Sequence, residues 1–303
     1  MSYRVAICIP TYKRPDGLRR LLDAIAVQQI PIEVELKVIV VDNEDSAVTK
    51  GLCGSGVREK PIPLIYCVEP RRGLSFVRNK AFEVASEFAE FLIFVDDDER
   101  PLPNWLEALV KCQQAFCADA VSGPVVPYFM SSVPNWIRTG RFFDRTRHVT
   151  GTHLTMGRTG NVLLRLGAMK RAGGFDARYA FTGGEDTEFF RRFHARGCRI
   201  VWCDEAVVEE WLPPTRTRLR WLLQRAWRTG CVDAGLASEH ESRAKIIFRG
   251  FLRASKGAIL LAASVIQDTC QTVRALQRIV FAAGMVAGAF GHRYEEYRKT
   301  HAV

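Results

Sequence analysis

Four consecutive carboxylates close an apolar run in this chain: Phe91-Leu92-Ile93-Phe94-Val95 leads straight into Asp96-Asp97-Asp98-Glu99. Like charges this close repel, and a fold gains nothing structural by collecting them at the end of a buried strand. A hard divalent cation resolves the conflict, because Mg²⁺ and Mn²⁺ prefer carboxylate oxygen and bridge to phosphate. The plainer alternative is a solvated acidic turn complementing the start of a helix near Pro103-Asn104-Trp105. A second acidic pair, Glu185-Asp186, follows Gly183-Gly184 and opens Thr187-Glu188-Phe189-Phe190. Glycines let backbone approach a ligand, and one of the two carboxylates has the chemistry of a general base toward an attacking hydroxyl. As first-turn acids, the same residues also suit a helix dipole with no further role.

Cations accompany these acids. Arg71-Arg72-Gly73 precedes Arg78-Asn79, and Lys13-Arg14-Pro15 follows the first apolar run. Arginines near a helix start suit a diphosphate, through charge and paired hydrogen bonds. Either cluster alone is weak, since surface arginines are common.

The elements that must carry these groups alternate in type. Val5–Ile9, Val38–Val41, Leu64–Val68 and Phe91–Val95 are continuous apolar runs, the pattern of strands buried on both faces. Helices are predicted after the first, with Leu18, Leu21, Leu22 and Ile25 at core spacing, and from Leu74 to Phe88. This order implies a mostly parallel sheet flanked by helices, whose ligands gather at the carboxyl ends of the strands. Thr11, Asp42 and Asp96–Asp98 should then surround one cleft. Residues 118–159, rich in Pro, Gly and aromatics, read as irregular structure over it. A short strand at Asn161–Leu166, a helix at Glu185–Ala195 and a strand at Arg199–Cys203 follow, and Pro213-Pro214 marks the boundary to a helical tail.

Taken in order, Ile9-Pro10-Thr11-Tyr12-Lys13-Arg14, Val41-Asp42-Asn43, Gly73 with Arg78-Asn79, Val95-Asp96-Asp97-Asp98, Gly160-Asn161 and Gly184-Glu185-Asp186 resemble the motifs of family 2 glycosyltransferases. The likeness spans roughly residues 3–230 and is strongest to bacterial exopolysaccharide members of the succinoglycan type. It implies a GT-A fold and an inverting, metal-dependent hexosyl transfer from a nucleotide sugar, with a UDP-sugar favoured, to a saccharide or lipid-linked acceptor. On that resemblance Pro10, Thr11, Tyr12, Arg14 and Asp42 would line the nucleotide pocket, with Arg78 near the diphosphate. Asp96 and Asp97 would belong to the donor site. Asp98 would bind Mg²⁺ or Mn²⁺ directly, with Asp96 nearer the sugar. Asp186 would be the base with Glu185 beside it, and Gly184 and Asn161 would lie toward the acceptor. Where many relatives carry a metal-binding histidine, this chain has Glu210, a carboxylate that serves a hard cation as well. A nucleotidyltransferase would carry a glycine-rich loop after the first strand, which Pro10-Thr11-Tyr12-Lys13 is not. A non-catalytic scaffold would not need Asp186 beside the acidic run.

The 303 residues divide into a 1–215 catalytic unit and a 216–303 helical region. Net charge is +1 over residues 1–213 and +9 over 214–303, so the basic excess lies in the tail and points to an anionic partner there. No nucleic-acid motif accompanies it. The most apolar tail runs, Gly257–Ile266 and Ile279–Gly291, are shorter than the roughly 18 residues a span requires. Lys245, Arg249, Arg253 and Lys256 share one helical face, as on a helix lying on anionic lipid. A packing helix with a solvated basic side, or a dimerisation element, fits equally. Nine cysteines without a Cys-x-x-Cys pair, and no leader pattern before the first strand, suggest a reducing cytoplasm, with attachment to the cytoplasmic face of the inner membrane as an extension.

Overall fold

The computed structural model describes residues 3–54, 56–57, 61–264 and 268–296. In chain order the elements are β1 (Tyr3–Thr11), α1 (Pro15–Ala26), β2 (Val34–Asp42), α2 (Ala47–Gly54), β3 (Leu64–Val68), α3 (Leu74–Ala85), β4 (Phe91–Val95), β5 (Glu99–Pro101) and α4 (Trp105–Phe116). Next come β6 (Ala120–Ser122), β7 (Val125–Phe129), α5 (Asn135–Gly140), β8 (His153–Leu154), β9 (Asn161–Arg165), α6 (Leu166–Ala172), α7 (Glu185–Ala195), β10 (Ile200–Trp202) and β11 (Val208–Leu212). The chain closes with α8 (Leu219–Ala237), α9 (Arg243–Ser264) and α10 (Thr269–Ala289).

Eight strands form one sheet in the order β3-β2-β1-β4-β9-β6-β10-β8, and β5-β11-β7 form a second. Strands β3, β2, β1 and β4 run parallel, while β9 enters antiparallel between β4 and β6. Side chains alternate across the strands. On β1, Val5, Ile7 and Ile9 pack against Leu18, Leu21 and Ile25 of α1 and Trp105 and Leu109 of α4, whereas Ala6 and Cys8 face Val77 and Ala81 of α3 and Phe189, Phe190 and Phe193 of α7. Burial on both faces explains why these strands read as unbroken apolar runs.

The expected strands and helices form at the expected places, with differences that have physical causes. Helix α3 stops at Ala85, three residues before Phe88, which packs at the edge of the core from the following turn. Helix α2 was not anticipated; it buries Thr49 and Cys53 alone and so lacks a full apolar stripe. The stretch 118–159 holds β6, β7, α5 and β8. Its strands are two to five residues long, and Pro127 is accommodated because β7 is an edge strand.

The tail is helical, and α8, α9 and α10 pack on one another. A Cβ at Gly230 would lie 2.1 Å from the Phe281 carbonyl, and one at Gly284 would lie 2.3 Å from that of Trp227, so α8 and α10 meet backbone to backbone. Ile266 and Gln267, expected to close the first apolar tail run, lie outside the described residues. Among the described residues no helix is long and apolar enough to cross a membrane.

Candidate active site

The acidic run after β4 is divided among four environments. Thr11 donates its hydroxyl to Asp97 at 2.9 Å, and Arg14 donates to Asp97 at 3.1 Å and to Asp98 at 3.0 Å. Asp97 is thereby locked beneath the loop after β1; burial, aided by Asp98 and opposed by Arg14, pushes its carboxyl up to about 7. Glu99 turns inward, accepts the Asp96 N–H at 2.9 Å, and is raised well above the usual carboxylate range by burial and by Asp96. Asp96 and Asp98 border an open cleft on both of its sides, and Asp97 and Glu99 each line one of them.

That cleft has two joined chambers. The first, of about 330 Å³, is bounded by Pro10, Thr11, Tyr12, Arg14 and Asn43 from the strand ends. The second, of about 430 Å³, is bounded by Arg78, Gly160 and the Thr182–Thr187 segment. Asp96, Asp98, Arg145, Arg158, Glu210, Arg225 and Arg228 border both. Local structure sets the acidic segment of the second chamber. Gly184 caps α7 at φ +92°, a left-handed conformation that glycine adopts without strain. The chain therefore enters α7 with Glu185 turned into the protein and Asp186 half-buried at the cavity wall.

Glu185 and Asp186 have separate fates. Glu185 is buried and paired with Arg78, which also reaches Asp96 at 3.3 Å, so one buried guanidinium links α7 to the end of β4. Burial raises Glu185, with Asp186 adding to the effect and Arg78 opposing it, and its Oε2 has no hydrogen-bond partner. Asp186 accepts the Thr187 N–H at 2.7 Å and makes no salt bridge with a described residue, so its carboxylate is available to the chamber.

Arginines dominate the shared wall. Arg216 contacts Asp98 at 3.1 Å and Glu210 at 3.2 Å, and Arg145 contacts Glu210 at 2.9 Å. Arg225 is pushed down to about 10, foremost by burial and then by neighbouring Arg145, Arg228 and Arg158, with Glu210 opposing. Arg158 is lowered for the same reasons, with Asp186 and Glu210 opposing. Arg145, Arg158, Arg216, Arg225 and Arg228 had no place in the sequence reading, because they are scattered singly over distant segments. A readable trace existed for two of them: Trp221, Arg225 and Arg228 recur at steps of four and three, which is one face of α8.

Two residues expected at the cleft lie elsewhere. Asp42 is fully buried and accepts from Glu44 N–H, Ser46 N–H and the Tyr66 hydroxyl, each within 3.0 Å, so it shapes the loop after β2 while its neighbour Asn43 reaches the first chamber. Asn161 is buried, accepting from the Trp105 indole at 2.8 Å and donating to the carbonyls of Pro124 and Ala206. Its amide is consumed in joining the two sheets, and it is the adjacent Gly160 that borders the second chamber.

The cleft offers a cation hard oxygen donors. Burial raises Asp96, with Arg78 opposing and Asp98 and Glu210 adding to the rise, and the three carboxylates line the same two chambers. As they stand, arginines hold them apart, and among the described residues no three acidic, imidazole or thiol groups form a ready-made metal cage. The donor set nevertheless fits a Mg²⁺- or Mn²⁺-type ion in its chemistry, all-oxygen carboxylate ligands.

A mostly parallel sheet with an acidic turn at its carboxyl edge, faced by arginines and a free carboxylate, defines a GT-A-type transferase. The chain belongs to glycosyl transferase family 2, whose model matches residues 6–173, and the model of glycosyl transferase family group 2 matches residues 91–291. It is 30% identical over 293 residues to the succinoglycan biosynthesis protein ExoM of Rhizobium meliloti, covering 96% of this chain and 94% of that one. It is 23% identical over 245 residues to a glucosyl-dolichyl phosphate glucuronosyltransferase of Haloferax volcanii, covering 76% and 75%. Among solved structures, a Pyrobaculum calidifontis mannosyltransferase in complex with GDP-Man and Mn²⁺ superposes with a TM-score of 0.59 at 18% identity, over 98% of this chain and 78% of that one. Residues 1–349 of S. aureus TarS in complex with UDP-GlcNAc give 0.58 at 15%, over 97% and 93%. The protein is a glycosyltransferase with the GT-A fold.

Proposed function

We propose that this enzyme transfers a sugar from a nucleoside diphosphate donor, with inversion at the anomeric carbon, to a hydroxyl of a lipid-linked saccharide in the assembly of an exopolysaccharide or cell-surface polysaccharide. The observation that carries the reading is one cleft in two chambers: the strand-end residues Pro10, Thr11, Tyr12 and Asn43 bound the first, Asp186 without a salt bridge among the described residues bounds the second, and arginines line both. A donor in the first chamber would set its diphosphate among Arg145, Arg216, Arg225 and Arg228, fixed cations in a partly dry site where charge stabilisation is strongest. An acceptor hydroxyl in the second chamber would meet the Asp186 carboxylate. Its proton passes to Asp186, its oxygen bonds to the anomeric carbon from the face opposite the diphosphate, and the bond to the diphosphate breaks with its electron pair leaving on phosphate oxygen.

Asp98, Asp96 and Glu210 would hold Mg²⁺ or Mn²⁺, which when bound adds positive charge at the departing diphosphate. Residues 1–215 would form the donor-binding unit, with residues 216–303 completing the cleft through α8 and meeting an anionic membrane surface on its cytoplasmic face. The polysaccharide context and the lipid carrier rest on the relatives, one named for succinoglycan biosynthesis and one for a glucosyl-dolichyl phosphate. UDP-sugars are favoured donors; the structural relatives are described with UDP-GlcNAc and with GDP-Man.

The test is a panel of UDP-, GDP- and TDP-sugars incubated with purified protein and Mn²⁺, Mg²⁺ or EDTA, following nucleoside diphosphate release. Metal-dependent release from one donor, lost in Asp98→Ala, supports the reading. Absence of both release and donor binding across the panel overturns it.

A further inference from the structure

Beyond the cleft, the tail helices enclose a third cavity of about 640 Å³. Arg225 and Ala226 of α8, Arg253 and Lys256 of α9, and Arg274, Gln277, Arg278 and Phe281 of α10 line it, with Phe142 at its edge. Thr229 and Arg225 border both this cavity and the second chamber, so the two adjoin each other at α8. Five cations line the cavity, and among the described residues no acid does. Elsewhere on α9 the pattern differs: Arg249 is held by Glu241 at 2.8 Å and Asp233 at 3.3 Å. Arg225, Arg253, Lys256, Arg274 and Arg278 make no salt bridge with any described residue. Arg253 lies over the Phe281 ring at 4.6 Å, Arg225 over Trp221 at 5.4 Å, and Arg274 donates to the Gly140 carbonyl at 3.0 Å. These contacts orient the guanidinium groups without neutralising them.

Arg253, Lys256 and Arg278 are exposed and screened by solvent, yet five like charges bordering one space make it a favourable place for an anion. A planar guanidinium set is suited to phosphoryl oxygens, which it can meet in pairs. The same helix presents an apolar exterior: Phe248, Phe251, Leu252 and Ile259 are 60%, 66%, 44% and 71% exposed, with Ala244, Ala258 and Ala262 between them and no charge on that side. Lys245 and Lys256 stand along its flank, the arrangement of a helix seated in an anionic lipid surface.

We propose that the cavity between α8, α9 and α10 binds the phosphoryl group of the acceptor, the phosphate or diphosphate that joins its saccharide to a lipid. The saccharide then reaches through the shared wall at Arg225 and Thr229 toward Asp186, while the lipid leaves along the apolar side of α9. This rests on the acceptor chamber proposed above and adds the site that anchors what enters it.

The test uses full-length protein, Lys256→Glu/Arg278→Glu, and the milder Lys256→Gln/Arg278→Gln in case charge reversal impairs folding. Inorganic pyrophosphate binding is measured by calorimetry with UDP and GDP present in excess to fill the donor chamber. Wild type should retain pyrophosphate binding, and the variants should lose it by about 10-fold or more, the scale of losing charge-assisted hydrogen bonds. Phosphatidylcholine vesicles doped with a prenyl diphosphate should recruit wild type but not the variants, while donor hydrolysis without acceptor stays unchanged. No pyrophosphate binding by wild type under these conditions overturns the proposal. So does equal pyrophosphate binding by the variants, including the case where they lose only adhesion to phosphatidylglycerol vesicles, which would mark a diffuse headgroup contact. Pyrophosphate recruitment is read independently of turnover, so an enzyme silent with every donor would sink the transfer reading while leaving this site standing.

Discussion

The sheet-edge cleft and the tail cavity are both lined with arginines, yet they treat charge in opposite ways. At the sheet edge Arg14, Arg78, Arg145 and Arg216 are each engaged with Asp96, Asp97, Asp98, Glu185 or Glu210. Between α8, α9 and α10 the arginines rest on rings and a carbonyl, and among the described residues none of them forms a salt bridge. The first arrangement is internally paired and preorganised, so an arriving anion or metal must exchange partners within a built network. The second is poised for an anion from outside. A site for chemistry needs fixed geometry at the reacting atoms, whereas a site that only holds a phosphoryl group needs charge and access.

The largest expected effect isolates the carboxylate that stands outside the paired network. Asp186→Asn should lower turnover by about 10²–10⁴-fold, the usual contribution of a positioned base, while donor binding measured by calorimetry persists. Turnover near wild type would remove Asp186 from the reaction. Next, breaking the pairing at its most buried point tests how far the network is structural. Arg78→Met leaves Glu185 buried without its partner and should cost about 3–5 kcal/mol in urea unfolding, with much of it restored in Arg78→Met/Glu185→Gln. An unchanged unfolding midpoint in the single variant would show that the pair contributes nothing.

Smaller effects sharpen the contrast. Arg216→Ala should weaken nucleoside diphosphate binding by about 10-fold or more, since it removes a cation from the shared wall, and nucleotide titration reads this directly. Gly284→Ala should lower thermal stability by about 1–3 kcal/mol through the clash of a new Cβ with the Trp227 carbonyl, moving α10 away from α8. The smallest stability effect is expected at Phe251→Ser on the exposed side of α9, within about 0.5 kcal/mol. That variant should nonetheless reduce sedimentation with anionic vesicles; unaltered sedimentation would detach the apolar side of α9 from the membrane.

Much of this architecture is legible along the chain. Strands β1 to β4 are continuous apolar runs because both faces are covered, and α1 and α7 carry core residues at helical spacing. The acidic run stands out because like charges crowd at the end of a buried strand, and the Gly-Gly-Glu-Asp segment because a glycine pair leads into carboxylates at a helix start. The strands between residues 118 and 159 were hidden by their brevity and by prolines. The basic side of α9 was legible as a periodicity, yet its surroundings were not: Arg249 turns to Glu241 and Asp233, Arg253 and Lys256 border the cavity while staying exposed, and beside them runs an exposed apolar side.

By itself the sequence determined the layered sheet, the edge at which its ligands gather and the acidic residues worth suspecting, since these follow from local periodicity and from the cost of crowding like charges. Tertiary structure decided which acids stay available. Burial raises Asp97, Glu99 and Glu185, while Arg14 and Arg78 tie down Asp97, Asp98, Asp96 and Glu185, so that among the described residues Asp186 is left as a half-buried cleft acid without a salt bridge. It also gathered Arg145, Arg158, Arg216, Arg225 and Arg228 from three distant segments onto one wall, because an electrostatic field is made by proximity in space, to which spacing along the chain is blind.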